Sequence, residues 1–102
     1  MEKETSKSSK WTFLTNYAHV LICLWKNPDM RIRDLADKVG ITERAVQRII
    51  NDLAEENYLT IEKEGRVNTY NVNSDQPLRH SNERGGKVAD LVNLVNHRIN
   101  YY

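Results

Sequence analysis

Apolar residues recur with helical spacing in the first third of the chain. One run occupies positions i, i+3, i+4, i+7 and i+8 and consists of Tyr17, Val20, Leu21, Leu24 and Trp25. This spacing places the five side chains on one side of a helix with 3.6 residues per turn. Asn16 precedes the run as an N-cap candidate, and Pro28 cannot extend a helix, so a first amphipathic helix is expected between them.

Two more helices are expected on either side of a tight turn. A short one covers about Arg33 to Val39 and ends at Gly40, because glycine readily takes the left-handed conformation that follows many helices. The next begins after Thr42, a good N-cap with Glu43 in the first turn, and runs to about Glu56. Their apolar faces consist of Ile32, Leu35, Ala36 and Val39 in the first and Ile41, Val46, Ile49, Ile50 and Leu53 in the second.

Beyond Asn57 the pattern changes to period two, which is typical of β-strands. The segments Tyr58 to Lys63 and Val67 to Val72 predict a two-stranded hairpin that turns at Glu64-Gly65. Residues 73–86 are rich in Asn, Ser, Asp, Pro and Gly and predict a loop or linker. A last helix is expected from about Lys87. Its apolar residues are spaced four and three apart, as in a coiled-coil seam: Val88, Val92, Val95, Ile99 and Tyr102, with Leu91 on the same arc.

This order of elements is that of a winged helix-turn-helix, in which the third helix enters the DNA major groove and the hairpin lies against the backbone. We therefore predict a mainly α fold with a small β-hairpin (α+β), a winged helix-turn-helix with an added C-terminal helix. Residues 1–10 are polar and rich in Lys and Ser, which predicts a flexible arm. Residues 11–73 form the predicted DNA-binding domain, 74–86 the linker and 87–102 a dimerisation helix.

The third predicted helix carries polar residues on the side opposite its apolar face. At about 100° per residue, Gln47, Arg48 and Asn51 fall within about 60° of Arg44, whereas the apolar residues fall between about 140° and 240°. Arginine can donate two hydrogen bonds to guanine, and Gln or Asn can pair with adenine, so these four residues are predicted to contact base edges. Thr42 and Glu43 complete the predicted contact set at the helix start. Glu43 can accept from cytosine or simply place a favourable charge at the helix N-terminus.

Lys63, Arg66 and Asn68 surround the glycine turn of the predicted hairpin. An arginine at such a tip can reach phosphates or a narrow minor groove, and a charged tip also serves solubility. We predict DNA contacts for all three residues, with Arg66 foremost. Arg31 and Arg33, at the start of the second helix, are candidates for phosphate contacts or for plain solvent exposure.

Composition and charge narrow the possible functions. The chain has 102 residues, 39% of them hydrophobic, and a mean hydropathy of -0.70, which fit one small globular domain. The net charge is +1, and residues 43–56 carry two positive and four negative side chains, so DNA binding must depend on a local cluster. No apolar stretch has the length of a membrane span and the N-terminus lacks the apolar middle of a signal peptide. The expectation is a cytoplasmic protein that does not bind membranes.

The residues give little support to catalysis or to cofactor binding. No nucleophile elbow, phosphate loop or metalloprotease motif occurs, so neither an enzyme nor a bound cofactor or metal is expected. Cys23 is the only cysteine, which excludes an internal disulfide. His19 and Cys23 stand four apart on the first helix and could supply two metal ligands or an activated thiolate, but a lone cysteine on an apolar helix is more often an inert core residue.

The segment Ile32 to Ile50 resembles the helix-turn-helix of bacterial and archaeal winged-helix transcription regulators of the MarR/ArsR-like superfamily. The resemblance rests on Asp34-Leu-Ala36, on Val39-Gly-Ile-Thr-Glu-Arg-Ala-Val46, and on a similar wing, Tyr58-Leu-Thr-Ile followed by Gly65-Arg-Val-Asn-Thr-Tyr70. It covers about Trp11 to Val72. It implies a cytoplasmic homodimer that reads a pseudo-palindromic site in double-stranded DNA with the recognition helix Thr42 to Glu56. The cysteine-rich motifs of the ArsR-like metal sensors are absent.

Dimerisation is predicted through the apolar residues of the C-terminal helix, Val88, Leu91, Val92, Val95 and Ile99. They can pair with a second copy across a two-fold axis or dock on the first helix, and both can hold at once. Pairing is favoured because a dimer of a small regulator can read two half-sites about one DNA turn apart, and so a longer site.

The alternative function is a winged helix that binds another protein and not DNA. RNA binding is a weaker third possibility, and control by a small-molecule effector is left open.

Overall fold

The computed structural model describes the backbone of residues 11–100 and the side chains of residues 11–95. Four α-helices and one antiparallel hairpin follow in this part of the chain: α1 (Asn16–Lys26), α2 (Ile32–Val39), α3 (Glu43–Glu55), β1 (Leu59–Glu64), β2 (Val67–Val72) and α4 (Val88–Asn100). The order confirms the predicted winged helix-turn-helix with a C-terminal helix. The predicted arm at residues 1–10 lies outside the described residues.

Side-chain caps determine where the first and third helices begin. The Oγ1 atom of Thr15 accepts a hydrogen bond from the backbone N–H of Ala18 at 3.3 Å, so Thr15 is the N-cap of α1 and the predicted cap, Asn16, is its first helical residue. Thr15 is the cap and Asn16 is not, because the Thr15 hydroxyl lies within reach of the free N–H groups of the first turn. Thr42 caps α3 as predicted, accepting from the N–H of Ala45 at 3.0 Å.

Left-handed residues end the two helices of the helix-turn-helix. Gly40 has φ 86° directly after α2, as its position in the sequence predicts, and α2 begins at Ile32, one residue earlier than expected. Asn57 has φ 68° after α3, and the N–H of Tyr58 donates to the carbonyl of Leu53 at 2.8 Å. This is the hydrogen bond of a Schellman motif, which turns the chain out of α3 and into the hairpin.

A single apolar core joins α1, α2 and α3 to the base of the hairpin and to α4. Four of the five residues predicted for the apolar face of the third helix are buried in it: Val46, Ile49, Ile50 and Leu53. The fifth, Ile41, precedes α3 and is half-buried at the edge of the core. Leu24 and Leu35 contribute fully buried side chains from α1 and α2. Helix α3 is therefore held against the domain from Val46 to Leu53.

The predicted hairpin forms, but it turns one residue later than predicted. Glu64 pairs with Val67, so the two-residue loop is Gly65-Arg66 and not Glu64-Gly65. Gly65 takes φ 65°, a left-handed conformation that glycine adopts without steric cost. At the other end of β2, the N–H of Tyr70 donates to the carbonyl of Pro28 at 2.8 Å, which fastens the hairpin to the connection between α1 and α2.

Residues 73–86, predicted as a loop or linker, are irregular but fastened to the domain by hydrogen bonds. The Tyr58 hydroxyl donates to the carbonyl of Pro77 at 2.6 Å, and the N–H of Val88 donates to the carbonyl of Gln76 at 2.9 Å. A 3-10 turn, Ser81–Glu83, lies within the segment. These bonds hold the start of α4 close to the base of the hairpin.

Helix α4 docks on the chain's own core, where it packs against α1. Val88 and Val92 are 0% and 2% exposed, so their side chains have no surface left for a second copy. The predicted dimer contact therefore cannot run through these two positions. Leu91 and Val95 are half-buried at the edge of the core, Leu94 is 61% exposed, and the side chain of Ile99 lies outside the described residues.

Candidate nucleic-acid interface

The outer face of α3 presents the six residues predicted for it. All of them are exposed, and they lie opposite the buried inner face of the same helix: Thr42, Glu43, Arg44, Gln47, Arg48 and Asn51. The folding of this helix explains the separation, because apolar packing occupies one side and leaves only polar side chains on the other. The structure thus brings the two arginines and the two amides onto one accessible surface.

Two of the amide side chains on this surface are already in contact. The Nε2 atom of Gln47 donates to the Oδ1 atom of Asn51 at 3.2 Å, one helical turn away. The contact leaves the Gln47 carbonyl oxygen free to accept and the Asn51 amide nitrogen free to donate. An acceptor beside a donor is the pattern that complements the major-groove edge of adenine.

The start of α3 has a second role besides its predicted DNA contacts. The Thr42 hydroxyl oxygen accepts the cap hydrogen bond from the N–H of Ala45, and its proton remains available to an external acceptor. Glu43 stands in the first turn, where a carboxylate interacts favourably with the helix dipole. Both positions therefore stabilise α3 whether or not they touch DNA.

The hairpin places its three predicted residues at and beside its tip. Arg66 lies in the two-residue loop, and Lys63 stands directly across the ladder from Asn68. All three are exposed, although the Asn68 amide donates to the hydroxyl of Tyr70 at 3.3 Å. The base of β1 packs on α3, so the hairpin and the outer face of α3 have a fixed relative position.

Tyr17 and Asp52 form a contact that the sequence pattern did not reveal. The Tyr17 hydroxyl donates to the Oδ2 atom of Asp52 at 2.5 Å and so links α1 to α3. This hydrogen bond raises the pKa of Tyr17, with partial burial and the Asp52 charge acting in the same direction and the Arg48 charge acting against it. The residues are 35 positions apart in the sequence. The sequence pattern predicted Tyr17 only as a member of the apolar face of the first helix.

His19 and Cys23 are both half-buried on α1. Burial raises the pKa of the Cys23 thiol, with the charges of Lys38 and Lys26 opposing the shift, so the reactive thiolate is disfavoured. Within the described part of the chain, no group of three His, Cys, Asp or Glu side chains is placed to hold a metal ion. None of the described helices has the length and apolar character needed to cross a membrane.

A cavity of about 550 Å³ lies beside the C-terminal half of α3. Its walls come from the segment before α1, from α1 and α3, and from residues 78–91; they are mainly apolar, with Tyr17 and Asp52 among the polar members. The cavity is separate from the outer face that carries Arg44 and Gln47, because neither residue lines it.

Comparison with known proteins agrees with the fold. Residues 19–60 match a family model described as winged helix-turn-helix DNA-binding, and this range runs from within α1 to the start of β1. No curated protein matches the chain in sequence.

Solved structures of transcription regulators are similar to the chain. A MarR family transcriptional regulator from Silicibacter pomeroyi matches with a TM-score of 0.56 and 20% identity over 84% of this chain. Streptococcus pneumoniae FabT in complex with DNA matches with a TM-score of 0.54 and 15% identity over 98% of this chain, and Lactococcus lactis ZitR in complex with DNA with 0.54 and 15% over 92%. The chain spans 57%, 64% and 65% of these proteins, respectively. The chain therefore has a winged helix-turn-helix fold, similar to that of solved MarR family regulators.

Proposed function

We propose that the protein is a sequence-specific DNA-binding transcription regulator that acts in the cytoplasm as a homodimer. Helix α3 enters the major groove and the hairpin lies on the backbone or in the minor groove. The observation that carries the proposal is the outer face of α3, where Arg44, Gln47, Arg48 and Asn51 are exposed together on a helix whose other face is buried.

The chemistry of this face suits the recognition of bases. A major groove accommodates one α-helix, and its base pairs are distinguished by donors and acceptors that arginine and amide side chains complement. Burial of the inner face fixes the helix, so little conformational freedom is lost when the outer face binds. FabT and ZitR, which have a similar fold, are both known in complex with DNA, and this supports DNA binding by the present chain.

The distribution of charge along α3 favours insertion by its first half. Arg44 and Arg48 lie there, whereas Glu55 and Glu56 follow at the other end and would meet phosphates unfavourably. With a net charge of +1, the protein has little general attraction for DNA. Specific contacts must therefore supply most of the affinity.

Selection from randomised duplexes tests the proposal. We expect purified protein at about 150 mM salt, where attraction to phosphates is weakened, to enrich an inverted repeat with half-sites about one turn (34 to 36 Å) apart. Lack of enrichment would contradict the proposal. It would favour the alternative, a winged helix that binds another protein, which the near-neutral net charge also favours.

Arg66→Ala tests the wing. We expect affinity for the selected duplex to fall about equally for all sequences, and the slope of log affinity against log salt to decrease by about one, because one phosphate contact is lost. The matched control is Arg84→Ala, which removes another exposed arginine from the segment before α4. An equal change in slope for both variants would contradict a contact by Arg66.

Leu94→Glu tests the dimer. Leu94 is 61% exposed on α4 and Phe13 is 91% exposed before α1, so both offer apolar surface that a second copy can cover. We expect the wild type to have twice the 11.9 kDa mass of one chain by light scattering and the variant to be a monomer. Val67→Glu, on the exposed side of the wing, is the control and should stay dimeric. A dimeric Leu94→Glu protein would contradict this interface.

A further inference from the structure

The contact between Tyr17 and Asp52 lies at the edge of the proposed DNA-binding face. Asp52 follows Arg48 by four residues, so the two side chains are neighbours on the surface of α3, about 40° apart around its axis. Tyr17 is 39% exposed and approaches from α1. Its hydroxyl donates to Asp52 Oδ2 at 2.5 Å, and the Arg48 charge is near enough to oppose the rise in the pKa of Tyr17.

The same carboxylate is a competitor of DNA for Arg48. A carboxylate and a guanidinium four residues apart on a helix attract one another, and an arginine paired in this way must leave its partner before it binds a base or a phosphate. A carboxylate that already accepts a strong hydrogen bond, and is held toward α1, competes less.

We propose that Tyr17 and Asp52 are positioning residues for Arg48: the Tyr17 hydroxyl holds the Asp52 carboxylate toward α1, which leaves the Arg48 guanidinium available to DNA. This inference rests on the proposed function, because it concerns how the DNA-binding face is prepared. The same hydrogen bond also fixes the C-terminal half of α3 against α1, since it joins two helices that pack together in the core.

A double-mutant cycle in the full chain tests the proposal. We expect Tyr17→Phe to weaken binding of the selected duplex about three- to fivefold, because the freed carboxylate turns to Arg48. Asp52→Asn should bind at least as well as the wild type, since the competing charge is gone. Tyr17→Phe should then have no further effect in the Asp52→Asn background.

Tyr58→Phe is the matched control. It removes only the hydroxyl of Tyr58, which donates to the carbonyl of Pro77 at 2.6 Å, away from the outer face of α3. We expect it to lower the melting temperature without changing affinity for the duplex. Circular dichroism of every variant verifies that the fold is retained.

Titration of the tyrosines gives a readout that does not depend on DNA. We expect the pKa of Tyr17 to lie above its ordinary value of 10.0 in the wild type and to fall toward it in Asp52→Asn. Because the folded protein raises this pKa, the stabilisation by the pair is complete below pH 10 and is lost as the pH rises through the raised value.

Three results would overturn this inference in a wild type that binds the duplex. One is unchanged DNA affinity in Tyr17→Phe, and another is an equal loss in the wild-type and Asp52→Asn backgrounds, which would indicate packing alone. An ordinary pKa for Tyr17 is the third. A wild type that binds no duplex would overturn the proposed function as well, whereas a wild type that binds without coupling would overturn only this inference.

Discussion

Replacing Arg44 and Arg48 together with alanine is expected to abolish sequence-specific DNA binding. Each bidentate contact between arginine and guanine contributes about 1–3 kcal/mol of discrimination, so the double variant should bind the selected duplex about a hundredfold or more weakly. Both side chains are exposed and lie outside the apolar core, so the melting temperature and the dimer should be retained. Titration of a fluorescent duplex at about 150 mM salt measures the loss.

The control for this variant is Arg79→Ala combined with Arg84→Ala. It changes the net charge by the same amount at exposed positions of the segment before α4. We expect the control to keep most of the specific affinity, because those residues are not on the outer face of α3. Retained affinity in the Arg44 and Arg48 variant, or an equal loss in the control, would contradict the assignment of α3 as the recognition helix.

Ile50→Ala is expected to give the largest loss of stability among the variants considered. Ile50 is fully buried on the inner face of α3, and removing its three outer carbons leaves a cavity in a core that relaxes only in part. The free energy of unfolding should fall by about 2–5 kcal/mol, and the melting temperature by at least about 10 °C. Chemical and thermal unfolding followed by circular dichroism measure both quantities.

Ile61→Ala is the matched control, with the same chemical change at a site on β1 that is 42% exposed. We expect a loss of about 1 kcal/mol or less there, since little apolar area is taken out of contact. Similar losses at the two positions would contradict the packing of α3 on the core.

The helix-turn-helix was predictable because its determinants are local. Apolar residues at helical spacing define the inner face of α3, and the cap at Thr42 and the left-handed Gly40 mark the turn without reference to distant residues. The same locality explains the small errors. Thr15 and Asn16 are both good N-caps, and only the position of the helix decides which of them receives the N–H of Ala18.

Contacts between distant segments could not be read from the pattern. Val88 and Val92 have the spacing of a coiled-coil seam, but an apolar stripe does not say which surface covers it, and here the covering surface is the chain's own core. The hydrogen bond between Tyr17 and Asp52 depends on how α1 crosses α3, which the spacing within either helix leaves undetermined.

Amide chemical-shift mapping with the selected duplex tests the central proposal most directly. On titration of ¹⁵N-labelled protein at about 150 mM salt, where non-specific attraction is weakened, the largest changes are expected in residues 42–51 of α3 and 63–68 of the wing. Changes confined to α4 or to residues 73–87, or no saturable change at all, would contradict DNA recognition by α3.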